Sequence, residues 1–93
     1  MNLDITFRHL EHTPALDTKI RDKVNRVAKK LSPTAHYHWT SWVEHDAHIS
    51  TLAVKDGSRD FFAKAESGDL YKTIDLAIKK LEKQVDDLKN NVY

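Results

Sequence analysis

The stretch from Ala63 to Gln84 (AKAESGDLYKTIDLAIKKLEKQ) runs from an alternating segment directly into an amphipathic helix. Ala63 and Ala65 share a strand face with Phe61, and their small side chains leave room for a helix to pack closely. In the helix, which begins near Ser67 or Asp69 and ends beyond Lys89, apolar residues recur every three or four positions: Leu70, Ile74, Ala77, Ile78, Leu81, Val85 and Leu88. A single apolar stripe needs a second layer to cover it, so this stretch predicts a helix packed on a sheet.

The rest of the chain alternates between the periods of strands and helices. Residues 2–8 show the period of a half-buried strand, and Thr13-Pro14 is typical of a helix start. The first helix then carries its own apolar stripe and stops at Ser32-Pro33: Leu16, Ile20, Val24, Val27 and Leu31. Three strands are predicted at residues 36–44, 48–55 and 59–66, the last two joined by the hairpin turn KDGSR.

These elements predict an α+β fold with the order β-α-β-β-β-α. The β-α-β start favours parallel pairing of the first two strands, and the remaining strands form an antiparallel meander. Two helices with one apolar stripe each can both be covered by one face of a four-stranded sheet. We expect residues 1–93 to form a single domain, since the chain has no room for a second core.

The composition excludes several classes of function. The chain has no cysteine, so disulfides, thiolate catalysis and cysteine-based zinc sites are excluded. No apolar run approaches the roughly 18 residues that span a bilayer, and the N-terminus alternates instead of resembling a signal peptide. We therefore expect a cytoplasmic protein that has no membrane partner.

No arrangement of side chains indicates catalysis or a cofactor. The serines lack a G-x-S-x-G context, and the only glycines, Gly57 and Gly68, cannot form a phosphate-binding loop. His36 and His38 share a strand face, but no third metal ligand is identifiable, and exposed strand histidines are the favoured interpretation. We expect no enzyme, no metal and no cofactor.

Three aromatic side chains allow both a structural and a binding role. Trp39 and Trp42 could stack on bases, but strand alternation places one of them inward, and core packing is favoured. Tyr71, at the start of the second helix, is expected to close the edge of the core.

The positive charge is concentrated in one segment. Residues 13–31 carry six basic and two acidic side chains, although the whole chain has a net charge of only +1. On the first helix, four cations form a basic ridge about a quarter turn from the apolar stripe: Lys19, Lys23, Arg26 and Lys30. On the second helix, Lys80 lies to one side, and three outer lysines project almost opposite the stripe: Lys72, Lys79 and Lys83.

Side by side on a sheet, the two helices would present a cationic groove that suits phosphates, and we expect acidic residues to lie mostly elsewhere. The same lysines could instead be a solvated surface. Charge alone also does not distinguish nucleic acid from an acidic protein. All eight cations are therefore candidate RNA-binding residues: Lys19, Lys23, Arg26, Lys30, Lys72, Lys79, Lys80 and Lys83.

Over nearly its whole length the chain resembles the short ribosome hibernation-promoting factor and ribosome-associated translation inhibitor family. The resemblance includes Leu3, Ile5 and Thr6 in the first strand, and Glu11, Thr13, Ala15 and Leu16 at the entry to the first helix. Its most specific part is the junction from the last strand into the second helix: Ala63, Ala65, Glu66, Asp69, Leu70, Tyr71, Ile74, Asp75 and the run from Lys80 to Gln84.

The resemblance implies a fold similar to double-stranded-RNA-binding domains, and binding to the small ribosomal subunit and its rRNA where messenger and transfer RNA would lie. Such binding silences ribosomes during stationary phase or stress. Further partners would be factors that dimerise ribosomes. Because the chain ends at Tyr93, we expect the short form, without a dimerisation domain, and a monomer in solution.

The family's rRNA contacts match four basic residues of this chain: Lys23, Arg26, Lys80 and Lys83. The sequence departs from the family at several other positions: Phe7, Asp17, Lys72, Thr73, Asp86 and Asp87. The alternative interpretation is a protein-interaction module that uses the same lysines to dock on an acidic partner such as a transcription factor.

Overall fold

The computed structural model describes residues 1–90, which form six elements in the predicted order. These elements are β1 (Asn2–Phe7), α1 (Pro14–Ala28), β2 (His36–Glu44), β3 (Ala47–Asp56), β4 (Arg59–Ser67) and α2 (Leu70–Asn90). The strands form one sheet in the order β1-β2-β3-β4, in which β1 is parallel to β2 and the other pairs are antiparallel. The predicted α+β class and strand arrangement are confirmed.

The first helix starts as predicted and ends earlier. The Thr13 hydroxyl accepts a hydrogen bond from the Leu16 N–H at 3.2 Å, and Pro14 occupies the first turn. Beyond Ala28 the chain tightens, because the Lys30 N–H donates to the Val27 carbonyl at 2.9 Å. This three-residue spacing ends the α-helix before Leu31, although Leu31 still packs against the core.

Both helices cover the same face of the sheet, as expected. The apolar stripes of α1 and α2 share one core cluster with the inward residues of all four strands. Trp39 is fully buried at its centre, which confirms that one tryptophan faces inward. Leu88 departs from the prediction: it is 39% exposed because the α2 residues of the core cluster end at Val85.

A chain of buried hydrogen bonds crosses this apolar core. The Trp39 indole Nε1–H donates to the Ser41 hydroxyl, which contacts the Ser50 hydroxyl, which in turn contacts the Thr73 hydroxyl, each at 2.8 Å. Thr73 donates to the Leu70 carbonyl at 2.5 Å. Because the Thr73 hydroxyl donates to a carbonyl, it accepts a hydrogen bond from Ser50, and Ser50 in turn accepts one from Ser41. Every hydroxyl of this series therefore donates toward α2. The chain satisfies four buried polar side chains and ties the first turn of α2 to the sheet.

Two α2 side chains bind the backbone of the edge strand β4. The Gln84 amide Nε2 donates to the Phe62 carbonyl at 2.6 Å, and the Gln84 Oε1 accepts from the Phe62 N–H at 3.2 Å. One helical turn earlier, the Lys80 Nζ donates to the Lys64 carbonyl at 2.7 Å. The packing of α2 on the sheet is thus accompanied by polar contacts along the outer side of β4.

Candidate nucleic-acid interface

The basic ridge lies against the acidic side of α2. The Lys23 Nζ is 3.4 Å from the Asp75 carboxylate, and the Arg26 Nη2 is 3.6 Å from that of Glu82. The Lys30 Nζ lies 3.5 Å from the Glu82 carboxylate and 3.0 Å from Asp86. Its hydrogen bond to the Asp86 carboxylate raises the pKa of Lys30 above its ordinary value. Three of the four ridge cations therefore form ion pairs between the two helices.

These ion pairs correct the expectation that acidic residues lie mostly elsewhere. Asp75, Glu82 and Asp86 are spaced by seven and four residues, so they share one side of α2. That side is next to the apolar stripe and faces α1, which is why the basic ridge reaches it. The space between the helices is consequently a seam of alternating charges, and not the purely cationic groove that the sequence predicts.

Lys19, the remaining ridge cation, has a different neighbour. Its Nζ lies 5.3 Å from the centre of the Tyr71 ring, within the range of a cation–π interaction. Tyr71 itself is 46% exposed. The expectation that Tyr71 closes the edge of the core is therefore wrong, because its ring lies outside the apolar cluster and beneath a lysine.

The outer lysines are exposed and mostly without acidic neighbours. Within residues 1–90, neither Lys72 nor Lys79 has a carboxylate oxygen within 4.0 Å. Lys83 lies 3.2 Å from the Asp87 carboxylate one turn away, in a pair that is open to solvent. Lys80 points to the β4 edge instead, on the side of α2 away from the ridge. The structure thus separates the eight candidate cations into four groups: the three paired ridge cations, Lys19 over Tyr71, the outer lysines, and Lys80 at the β4 edge.

The charges of the molecule are divided between its two layers. Residues 14–31 carry six basic and two acidic side chains, and α2 carries five and four, so the helix layer has a net charge of +5. On the opposite face of the sheet, the strands expose two lysines and four carboxylates, a net charge of −2 with the histidines neutral: Lys55, Lys64, Asp4, Glu44, Asp60 and Glu66. The helix layer is therefore the side that attracts a polyanion.

A polar cluster at the start of α1 was not predicted from the sequence. The Asp17 carboxylate accepts hydrogen bonds from the Arg21 Nε at 2.5 Å and the His12 Nε2 at 2.7 Å. The His12 ring also stacks on Phe7, with ring centres 4.7 Å apart. The hydrogen bond from Arg21 and, to a smaller extent, that from His12 lower the pKa of Asp17 below its ordinary value. Asp17 and Arg21 are one helical turn apart, and this spacing could have predicted their ion pair from the sequence.

Residues 1–90 contain no group of three or more histidines and carboxylates arranged to hold a metal ion. In the same range, no helix is long and apolar enough to cross a membrane.

The geometry defines an α+β fold with a cationic helix layer on a four-stranded sheet, and the comparison with known proteins supports the fold. Residues 3–92 match the family described as Sigma 54 modulation protein / S30EA ribosomal protein. The chain therefore belongs to this family. The family consists of ribosome-associated proteins that are not enzymes.

Three relatives illustrate the similarity. The chain is 30% identical to a ribosome hibernation promoting factor of Acinetobacter guillouiae, over 92% of this chain and 85% of that protein. Its structure is similar to that of a ribosomal subunit interface protein from Coxiella burnetii, with a TM-score of 0.84 and 28% identity over 98% of this chain and all of the other. The N-terminal domain of Thermus thermophilus Protein Y shares the fold, with a TM-score of 0.85 and 24% identity over 95% and 99% of the two chains.

Proposed function

We propose that this protein is a ribosome hibernation factor that binds the small ribosomal subunit in the channel for messenger and transfer RNA and inhibits translation during stress or stationary phase. The observation that carries the proposal is the net charge of +5 on the helix layer of a chain that belongs to a ribosome-associated family. The 30% identical relative is itself named for ribosome hibernation.

The proposed mechanism is occupancy of the channel. Phosphates supply most of the affinity in such contacts, and the shape of the folded RNA selects the site. No bond is made or broken and no cofactor is required. The protein acts as a cytoplasmic monomer through its one domain, and factors that dimerise ribosomes are further proposed partners.

The eight cations contribute unequally in this proposal. Lys72 and Lys79 have no ion pair to lose among residues 1–90, so they can engage phosphates directly. The ridge cations Lys23, Arg26 and Lys30 have to exchange α2 carboxylates for phosphates. Lys80 retains two N–H donors while its third holds the β4 edge, and Lys83 gives up only an exposed pair.

The decisive experiment measures co-sedimentation with the small subunit on sucrose gradients and inhibition of translation in vitro. Reversal of both Lys72 and Lys79 to glutamate should weaken binding by at least tenfold and leave the fold intact, because both side chains are exposed. The matched control is Lys55→Glu/Lys64→Glu, which makes the same change of charge on the opposite face of the sheet. Arg59 is unsuitable as a control because it pairs with the buried carboxylate of Asp56 at 3.2 Å.

Salt provides a second readout. With four to six cations engaged, the logarithm of the affinity should fall with the logarithm of salt concentration with a slope of roughly −3 to −5. The slope of the Lys72→Glu/Lys79→Glu variant should be shallower by about 2. A wild-type affinity that does not change with salt concentration would contradict the channel proposal. So would binding that persists when messenger and initiator transfer RNA occupy the subunit.

The alternative is a protein-interaction module that docks on an acidic partner such as a transcription factor. It uses the same exposed lysines but predicts no co-sedimentation with the small subunit. The gradient experiment therefore separates the two proposals without any variant.

A further inference from the structure

The face of the sheet opposite the helices carries a hollow with a volume of about 410 Å³, within the range of small-ligand sites. Its lining includes one row across all four strands, formed by Asp4, His38, Ala53 and Phe62. Lys55 and Asp60 lie beside this row. The helices and their cations are on the other side of the sheet, so the hollow is separate from the interface described above.

The spacing of this row suits one flat group over Ala53, and we call the row the slot. The small Ala53 on β3 forms the floor, and the rings of His38 and Phe62 stand on the neighbouring strands. Neighbouring strands are about 4.8 Å apart, so the two rings rise from backbones separated by roughly 10 Å. A planar group over Ala53 would lie about 5 Å from each ring, within the distance of cation–π and stacking contacts. Phe62 is 56% exposed although it is apolar, which leaves its ring available.

The charge around the slot selects a cation. Asp4, Asp60 and Lys55 give the lining a net charge of −1 with neutral imidazoles, and the strand residues of this face carry −2; Arg8, outside the lining, lies over the Trp42 ring on the same face. A nucleobase would fit the slot but brings its phosphates against these carboxylates. A lysine ammonium satisfies the charge but is not planar. An arginine guanidinium is planar, positively charged and able to bind a carboxylate while it stacks on a ring.

We propose that this slot binds an arginine side chain from a basic protein segment, stacked between His38 and Phe62 over Ala53 and paired with Asp4 or Asp60. The two layers of the molecule then recognise partners of opposite charge: the helix layer takes polyanionic RNA and the sheet face takes a basic protein. The slot is independent of the proposed RNA contacts, so it can be tested without ribosomes.

The test is an NMR titration of the ¹⁵N-labelled full chain with three probes: a short peptide with two arginines separated by glycine, the same peptide with lysines, and adenosine monophosphate. The arginine peptide should shift the amide signals of His38, Ala53 and Phe62. The lysine peptide should bind at least fivefold more weakly, and the nucleotide should leave these signals unchanged.

Two variants locate the site. Ala53→Ile fills the floor of the slot with a residue that suits a strand, and should weaken binding of the arginine peptide at least tenfold. Its matched control is Thr51→Ile, which adds an isoleucine on the same face of β3 outside the lining and should bind as the wild type does. Phe62→Ala, which removes one exposed ring, should weaken binding by a similar factor.

Three results would overturn the proposal. Equal affinity for the lysine peptide would reduce the effect to charge attraction alone. Shifts at the slot with the nucleotide would make it a base-binding site. Unchanged binding in Ala53→Ile would place the peptide elsewhere. Because none of these measurements involves ribosomes, a failure of the slot proposal leaves the proposed hibernation function standing, and the reverse also holds.

Discussion

The two helices carry almost equal numbers of basic residues but use them differently. Three cations of the basic ridge on α1 are held by carboxylates of α2, whereas Lys72 and Lys79 among the outer lysines project into solvent without such partners among residues 1–90. A paired ridge cation therefore contributes to the packing of the helices and to the surface charge, whereas Lys72 and Lys79 contribute only to the surface charge. The comparison shows that the position of a lysine around a helix does not by itself define its role.

The largest effect is expected when the ridge itself is reversed. Lys23→Glu/Arg26→Glu places like charges against Asp75 and Glu82, so both folding stability and subunit binding should fall. We expect a loss of about 0.5–2 kcal/mol in the free energy of unfolding, since each exposed pair contributes up to about 1 kcal/mol. Urea unfolding followed by circular dichroism measures this loss. Lys72→Glu/Lys79→Glu is the control and should stay within about 0.5 kcal/mol of the wild type. Equal losses in the two variants would remove the distinction between the helices.

A smaller effect is expected when the carboxylates are neutralised. Glu82→Gln/Asp86→Asn releases Arg26 and Lys30 from their partners, so affinity for the small subunit should rise about three- to tenfold. The salt slope should steepen by about 1, because more cations become available to phosphates.

The control for this gain is Asp22→Asn/Glu66→Gln, which removes the same charge at exposed positions without a cation within 4.0 Å in the described part of the chain. A similar gain in the control would mean that net charge alone sets the affinity, and that the seam between the helices has no special role.

A charge swap separates stability from binding more finely. Arg26→Glu/Glu82→Arg keeps an ion pair between the helices but moves the cation from α1 to α2. The swap should recover part of the stability that Arg26→Glu alone loses, with a coupling energy of about 0.2–1 kcal/mol in the double-mutant cycle. The recovery is incomplete because an arginine at position 82 also lies near the Lys30 Nζ, which is 3.5 Å from the Glu82 carboxylate in the wild type. Zero coupling would show that the Arg26–Glu82 contact does not stabilise the fold.

The smallest effect concerns the first turn of α1, where a carboxylate is paired within the helix instead of across the seam. Hydrogen bonds from Arg21 and His12 lower the pKa of Asp17, so its contribution to stability is present above the ordinary aspartate range and is lost as pH falls through the lowered pKa. The difference in urea midpoint between the wild type and Asp17→Asn should therefore be present at about pH 5 and shrink in more acidic solution. A difference that persists unchanged at pH 2 would assign it to something other than ionisation of Asp17.

The sequence predicts the fold well because its signals are local and repeated. The stripe from Leu70 to Val85 and the alternation in β1 each require burial against one layer, and the Pro14 start and the Gly57 turn limit the connections. Leu88 was assigned wrongly because periodicity gives the side of a helix but not the length of the surface that covers it. Trp39 faces inward because it pairs with the core residue Leu52 on β3. Alternation alone could not tell whether Trp39 or Trp42 is the inward tryptophan.

The candidate site was less predictable for a related reason. Helical geometry predicts which side of each helix carries the basic ridge and the outer lysines. The ion-pair partners of the ridge, however, depend on how α1 lies against α2. Asp75 and Glu82 are far from Lys23 and Arg26 in sequence and meet them only through the sheet beneath. The hydroxyl chain from Trp39 to Thr73 was missed because serine and threonine in strands and helices usually indicate solvent exposure.

The contacts of Gln84 and Lys80 with β4 have a consequence for the behaviour of the protein at high concentration. An unpaired edge strand offers its backbone groups to any other strand and so promotes aggregation. Gln84 occupies both the N–H and the carbonyl of Phe62, and Lys80 occupies the carbonyl of Lys64, so the middle of this edge is closed to a second chain. A second strand can therefore pair with the middle of β4 only after α2 releases it, which lowers the tendency of the protein to aggregate at high concentration.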